Sequence, residues 1–468
     1  MERMTVHDIV KATGGRLLCG DEETVLVHIS IDSRTMKGQD LFVPIVGEKV
    51  DAHRFIEQAF SVGAAATLTS EHDEMEDTRP WIRVNDTKKA LQDIGSYYRD
   101  RLQLPLVGIT GSVGKTTTRE MIAAALSAGY RVYKTPGNSN SQVGVPITLS
   151  QITSEDEIGV LELGMSMPGE LTVIAKIARV DMAVITNVGI THIEQLGSRE
   201  NIYREKMTIQ DGLKDGGILF LNGDDPMLKD TKAKDGCSTV YYGTGVNCDY
   251  RAEDIRIENG YPVFTAVHGE TRIPVRLHVM GRHNVLNAMV ALAVADASNV
   301  PLVKAAEKLG AFTGFQNRQQ IYECNGVTVI DDTYNASPVS MKAGLEVLQS
   351  MKQAKRRIAV LADMKELGPD SPRYHREIGE WLQDHPVDVL FTLGDLALEI
   401  EQGIQGGSTV CACYHFQAED RDGLYQALKA MLLAGDCVLL KGSNSMKLGE
   451  VSARLIHPAT EHCPESVK

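Results

Sequence analysis

Residues 108–117, Gly-Ile-Thr-Gly-Ser-Val-Gly-Lys-Thr-Thr, constrain the fold of this chain more than any other stretch. The apolar run 104–109 before them is short and bulky, as a buried strand would be. Residues 118–126 after them are rich in helix formers and are closed by Gly129. Strand, glycine loop and helix form the setting of a phosphate-binding loop. Glycines let backbone N–H groups approach phosphate oxygens, and the helix N-terminus adds its dipole. The loop 111–117, that is Gly111, Ser112, Val113, Gly114, Lys115, Thr116 and Thr117, is therefore expected to cradle a nucleotide's phosphates. Lys115 would bridge the β- and γ-phosphates, and the Thr116 hydroxyl would ligate Mg²⁺. The full G-x-x-x-x-G-K-[ST] spacing asks for glycine at 109, where this chain has Ile109, so the signal is the shorter G-x-x-G-K-T form. A bare G-K-T triplet is more often an ordinary turn; the flanking strand and helix favour phosphate binding.

At 468 residues the chain exceeds one ordinary core, and roughly two to four domains are expected. An apolar content of 43% and a charged content of 24% are those of a soluble globular protein. A net charge of −14 argues against nonspecific nucleic-acid binding, which needs a basic surface. No stretch approaches the roughly 18 to 20 apolar residues of a membrane helix, and residues 1–8 lack the apolar core of a secretion signal. Eight cysteines are scattered irregularly, and the Cys411-x-Cys413 pair has no second pair to complete a zinc site. Reduced thiols, a cytoplasmic location and no membrane insertion are the expectation.

Along the chain, residues 1–103 mix short strands and helices. A strand over 29–34 runs into Asp32-Ser33-Arg34, which is either a phosphate-holding turn or an ordinary solvated one. A second strand covers 41–47, and a helix opens at Asp51. From 104 to 314, strands alternate with helices as in a mainly parallel sheet, where ligands gather at the carboxyl ends of the strands. Glu162 ends one such strand and suits a hard cation; His192 follows another. A helix expected over 198–213 carries Lys206 on the same face as Ile202, Ile209 and Leu213. From spacing alone, snorkelling to the rim is the plainer reading, and a desolvated neutral amine the sharper one. A helix beginning near 281 has Asn284 as its candidate cap and Asn287 one turn on. From 315 to 468 the alternation repeats, with a strand over 327–332 ending in Asp331 and Asp332, and others over 357–363, 389–395 and 437–443. The layout is Rossmann-like but lacks G-x-G-x-x-G, so no dinucleotide is indicated. The tail 457–468 is expected to fray.

These motifs together resemble the Mur ligases of bacterial cell-wall synthesis. The resemblance runs from I-D-S-R-T and D-L-F-V-P-I-V-G-E through the phosphate loop, P-G-N-S-N-S-Q-V-G-V-P, E-L-G-M-S-M-P-G-E and I-T-N-V-G-I-T-H-I-E-Q-L-G-S. It continues to G-R-H-N-V-L-N-A, I-D-D-T-Y-N-A-S-P, A-D-M-K-E-L-G and L-L-K-G-S-N. It implies an α/β protein of three domains: a small mixed UDP-binding domain (1–103), a central P-loop ATPase domain (104–314) and a C-terminal Rossmann-like domain (315–468). It also implies ATP-dependent amide formation through an acyl phosphate. Y-N-A-S-P and A-D-M-K-E-L-G point, within the family, to joining D-Ala-D-Ala to a UDP-N-acetylmuramoyl-tripeptide; the sequence leaves the oligomeric state open, with a monomer the expectation.

By the same resemblance, Lys115 and the loop amides hold ATP, and Thr116 with Glu162 holds one Mg²⁺. His192 serves a second metal site, and Lys206 is carbamylated into an anionic ligand. Asn287 contacts adenine, Arg318 and Asp332 reach the nucleotide, and Ser33, Arg34, Asn138 and Asn140 face the UDP-sugar. The chain departs from the family pattern at Ala52 (for glycine in D-G-H), Ser141, Asn317 and Asn444 (for arginine in K-G-S-R). Two other readings stand beside this one: a P-loop switch driven by ATP hydrolysis, which leaves Lys206 and the D-S-R region without a role, and a related amide ligase of the folate or sister Mur type.

Overall fold

The computed structural model describes residues 1–258, 260–315, 318–405 and 411–457. Asn317 and the tail beyond 457 lie outside them. The chain forms two compact units, one of residues 1–188, 203–249 and 290–301, the other of 189–202, 250–289 and 302 onward. Both are α/β.

In the first unit a five-stranded sheet has the order Arg16–Cys19, Trp81–Arg83, Ala64–Thr69, Asp40–Phe42, His28–Ser30. Its last four strands are parallel, and only Arg16–Cys19 runs against its neighbour. Leu41, Ala66, Leu68 and Ile82 pack against Leu91 and Ile94 of the helix Thr87–Arg101. The strands at 28–30 and 40–42 are shorter than the sequence suggests; the first ends where Asp32 turns the chain, its carbonyl accepting the Thr35 N–H and its carboxylate the Arg34 N–H. At Asp51 the first turn is 3-10, capped by the Asp51 side chain, and the α-helix Ile56–Val62 follows. Ala52 sits in that turn without a positive φ, so no glycine is required there.

The same unit holds six parallel strands in the order Val132–Lys134, Ile158–Glu162, Leu106–Thr110, Met182–Ile185, Ile218–Asn222, Ser238–Gly243. The strands at 106–110, 158–162 and 182–185 are buried throughout, as continuous apolar runs covered by helices on both faces must be. Register places Glu162 and Val184 on either side of Ile109, so the loop after Thr110 opens where those two strands end. The helix expected over 198–213 is α only from Arg199 to Met207, then 3-10 over Thr208–Gly212. The close approach at Gly212 accounts for this: a Cβ there would stand 1.8 Å from the Ala175 carbonyl oxygen.

In the second unit three antiparallel strands, Tyr250–Glu258, Tyr261–His268 and Thr271–Arg276, form one meander. A six-stranded sheet has the order Gln320–Cys324, Val327–Asp332, Asp436–Lys441, Arg356–Ala362, Val389–Leu393, Ala412–Phe416, parallel but for its first pair. Alternate strand residues divide between two cores. Ile330, Ala359, Leu361 and Leu390 meet Met341, Leu345, Ile378 and Ile400 of one helical layer. Val329, Ile358, Val360 and Phe391 meet Leu424, Leu428, Leu448 and Val451 of the other. Pro338 opens the helix Pro338–Ser350 behind a Ser337 cap.

Candidate active site

Gly111, with φ 151°, faces Thr186 so closely that a Cβ would meet the Thr186 hydroxyl oxygen at 1.9 Å. Gly114 adopts the left-handed region (φ 84°) and is the N-cap residue of the helix Lys115–Leu126. That helix starts at Lys115, three residues before the run of strong helix formers, so its N-terminus abuts the loop. Two residues at the end of the neighbouring strand clamp the loop. Asn187 accepts the Ser112 N–H on its carbonyl (3.1 Å) and the Val113 N–H on Oδ1 (3.0 Å). Asn187 Nδ2 and the Thr186 hydroxyl both donate to the Val113 carbonyl, at 2.9 and 2.7 Å. The Ser112 and Val113 amides, expected from the sequence to face phosphate, are therefore turned onto Asn187 here. Lys115 Nζ donates to the Gly111 carbonyl at 2.7 Å, folded over the mouth of the loop.

Beside the loop, the Thr116 hydroxyl donates to Glu162 Oε2 at 3.0 Å, as expected for two oxygen donors to one cation. Asn140 Nδ2 donates to Glu162 Oε1 at 2.9 Å. Asn140 is thus directed at the carboxylate of the phosphate site, whereas the sequence placed it on the UDP-sugar side. Asn138, two residues away, is exposed. Ser33 is buried and donates to Gln58, while exposed Arg34 is held by Asp32 through two bonds of 2.8 Å. That arginine pairing holds the Asp32 carboxyl down at about 2. Asp51, His53 and Glu71 cluster nearby. Both His53 ring nitrogens are in use, Nδ1 at 2.6 Å from Asp51 and Nε2 accepting the Ser70 N–H at 3.0 Å, so the cluster reads as a structural knot.

Lys206 does not snorkel. It is 2% exposed, and Ile202, Ile209 and Leu213, which share its sequence face, are likewise at 2% or less. Burial first, and then the nearby Lys115 charge, drive its pKa well below the ordinary lysine range, against a smaller opposing pull from Glu205. Glu205 is itself committed: its two oxygens accept the Gly169 and Leu171 N–H groups at the start of the helix Glu170–Ala178. The result is a desolvated amine that favours its neutral form.

The remaining expected residues lie in the second unit. His192, at φ 64°, places Nδ1 2.5 Å from Glu366 Oε2, a contact that lowers the Glu366 pKa. Glu366 also has positive φ (65°), and two such residues in contact mark a strained junction of the kind found at functional loops. Asn287 is buried rather than on the surface and donates to Asn284 Oδ1 at 2.9 Å. Asn284 is the first helical residue, and its amide nitrogen donates to the Met280 carbonyl. Arg318 stacks over the Tyr334 ring at 3.9 Å. Asp332 accepts from buried Lys441 at 2.7 Å. Asn444 is exposed and opens a short 3-10 turn.

Sequence reading missed Asn187, Arg119, Glu366 and Lys441. Asn187 carried a usable signal, since an I-T-N run ends a strand beside the one that feeds the phosphate loop. Arg119 looked like one polar residue in an ordinary helix, yet it is 1% exposed.

Three family models match in order along the chain: the Mur ligase family, catalytic domain over 26–99, the Mur ligase middle domain over 109–295, and the Mur ligase, glutamate ligase domain over 317–444. A UDP-N-acetylmuramoyl-tripeptide–D-alanyl-D-alanine ligase of Bacillus subtilis is 36% identical over 97% of this chain and 99% of its own. The chain belongs to the Mur ligase family. Among solved structures, MurF from Acinetobacter baumannii matches this Mur ligase with a TM-score of 0.88 at 29% identity, covering 98% of this chain and 99% of that one. The MurF ligase of Thermotoga maritima in complex with ADP matches with a TM-score of 0.80 at 28% identity, covering 92% and 97%. Among the described residues, no helix is long and apolar enough to cross a membrane.

Proposed function

We propose that this Mur ligase joins D-alanyl-D-alanine to UDP-N-acetylmuramoyl-tripeptide with cleavage of ATP, giving the UDP-linked pentapeptide. The name and 36% identity of the Bacillus subtilis relative support the substrates; the ADP in the Thermotoga maritima relative supports the nucleotide. The observation that carries the reading is buried Lys206, its pKa lowered first by burial and then by the charge of Lys115, in the same unit as the Thr116–Glu162 pair. A nucleotide-driven switch has no use for a desolvated amine there.

The loop Gly111 to Thr117 holds the triphosphate. The Ser112 and Val113 amides stay on Asn187, while the amides from Gly114 onward receive the phosphates and Lys115 leaves the Gly111 carbonyl to neutralise the β- and γ-phosphoryl oxygens. The tripeptide carboxylate oxygen attacks the γ-phosphorus, the bond to ADP breaks, and an acyl phosphate forms. The dipeptide amine then attacks the acyl carbon, loses a proton and expels phosphate. Both steps concentrate negative charge, which fixed cations and donors stabilise.

Thr116 and Glu162 fit Mg²⁺, because they offer hard oxygens 3.0 Å apart. His192 would serve a second Mg²⁺, and magnesium, when bound, would supply charge neutralisation of the phosphates. A Lys206 amine in its neutral form fits addition to CO₂, in which an N–C bond forms and one proton leaves the nitrogen for solvent, turning the amine into an anionic oxygen ligand. By the family resemblance we assign Asn287, Arg318 and Asp332 to nucleotide binding, and Ser33, Arg34 and Asn138 to the UDP-sugar. We place the domain boundaries at 103/104 and 314/315, and the protein in the cytoplasm as a monomer. The test is ATP turnover with each substrate omitted in turn, with the product weighed by mass spectrometry. Turnover needing both substrates and yielding the pentapeptide supports the reading; hydrolysis independent of both contradicts it.

A further inference from the structure

Arg119 is a full helical turn past the phosphate loop and is 1% exposed. Its guanidinium reaches three elements at once. Nη1 donates to Glu162 Oε2 at 3.3 Å and to the Gly137 carbonyl at 2.8 Å. Nε and Nη2 donate to Glu120 Oε1 at 3.1 and 2.7 Å. Glu120 in turn pairs with Lys134 of the neighbouring strand. Arg119, Glu120 and Glu162 are buried, and half-exposed Lys134 at the edge completes a charge-balanced set, which is the condition for keeping such groups out of water.

We infer that Arg119 is a positioning residue for Glu162: it fixes the carboxylate so that one oxygen faces the cation site before any cation arrives. The inference rests on the assignment of Glu162 to magnesium made above. A carboxylate has about four lone-pair directions. At Glu162, Asn140 takes one on Oε1, and Thr116 and Arg119 take two on Oε2. The carboxylate cannot rotate without breaking one of these, and its remaining acceptor direction is left for the metal. The planar fork matters here, because one group must serve Glu162, Gly137 and Glu120 in fixed directions, which the point charge of lysine does not do. Through the Gly137 carbonyl, Arg119 also ties the turn bearing Asn138 and Asn140 to the phosphate helix. An ordered Glu162 and an ordered turn are thus one event.

The alternative is that Arg119 only neutralises two buried acids. Arg119→Lys and the charge-matched double variant Arg119→Gln/Glu120→Gln separate the two. In each, we would measure thermal stability, ADP affinity with and without Mg²⁺ by calorimetry, and the Mg²⁺ concentration giving half-maximal ligase activity. Positioning predicts that the double variant stays folded and binds ADP normally without Mg²⁺. It would lose most of the affinity gained on adding Mg²⁺ and need at least about tenfold more Mg²⁺ for half activity, the size expected for one charged hydrogen bond. Arg119→Lys would fall between it and the wild type. A folded double variant with wild-type Mg²⁺ dependence overturns the inference, as does a double variant that fails to fold while Arg119→Lys keeps wild-type Mg²⁺ dependence. If wild-type protein gains no ADP affinity from Mg²⁺, the assignment of Glu162 to the metal fails instead.

Discussion

Gly111 and Thr186 approach so closely that a single added methyl group would stand 1.9 Å from the Thr186 hydroxyl oxygen. That hydroxyl already donates to the Val113 carbonyl at 2.7 Å, so the loop and the neighbouring strand hold each other in shape. Gly111→Ala cannot keep both contacts. The strain of such a displacement is on the order of 1–3 kcal/mol, and ADP affinity measured by calorimetry should fall about tenfold or more. Wild-type affinity in a folded Gly111→Ala protein would contradict the clamp.

Lys115 rests on the Gly111 carbonyl, 2.7 Å away, and is proposed above to exchange that oxygen for phosphate. Lys115→Ala should leave the fold intact, because the side chain is only partly buried. Ligation rate should fall about 10²-fold or more, the loss seen when a preorganised charge is removed from a developing anion. Steady-state turnover with saturating substrates checks this; unchanged turnover would remove Lys115 from the site.

For Lys206, the buried amine with its lowered pKa leads to a chemical-rescue experiment. Lys206→Ala should lose activity by about 10²-fold or more, and acetate or another short carboxylate should restore part of it by replacing the lost anionic oxygens. Full activity in the unsupplemented variant would eliminate the carbamate assignment.

The A-D-M-K-E-L-G loop rests on a histidine. His375 is completely buried, its Nε2 accepts the Met364 N–H at 2.8 Å, and Nδ1 donates to the Ser371 carbonyl at 2.7 Å. Burial pushes its pKa below the ordinary value, while the Ser371 carbonyl, Asp363 and Glu399 pull upward and Lys365 pushes down. The folded state therefore binds a proton less readily than the unfolded chain. Its contribution to stability is full above the ordinary histidine pKa of about 6.5 and is lost as pH falls below it. Melting temperature should drop between about pH 8 and about pH 5, and drop less in His375→Gln. Equal drops in both proteins would rule out this histidine as the source.

Much of this was readable from the residues. The apolar runs at 106–110, 158–162 and 182–185 announced buried parallel strands, and Glu162 at the end of one of them met Thr116 as expected. What misled was local. Lys206 on an apolar face suggested a side chain reaching water, because helical spacing does not reveal that the next elements cover the rim as well. Asn140 belonged to a turn that only the fold brings to Glu162, 22 residues on. The 3-10 segment at 208–212 depends on how near Gly212 lies to the Ala175 carbonyl, which no periodicity records. Arg119 was hidden for a similar reason: its partners come from a turn and a strand distant in sequence.

The central claim is that a peptide carboxylate takes a phosphoryl group before the amide forms. It is tested most directly by preparing the UDP-tripeptide with both oxygens of its terminal carboxylate labelled with ¹⁸O. An acyl phosphate leaves one labelled oxygen in the released phosphate and the other in the new amide. Phosphate carrying one ¹⁸O per turnover is the predicted result; unlabelled phosphate accompanying formed pentapeptide would contradict it.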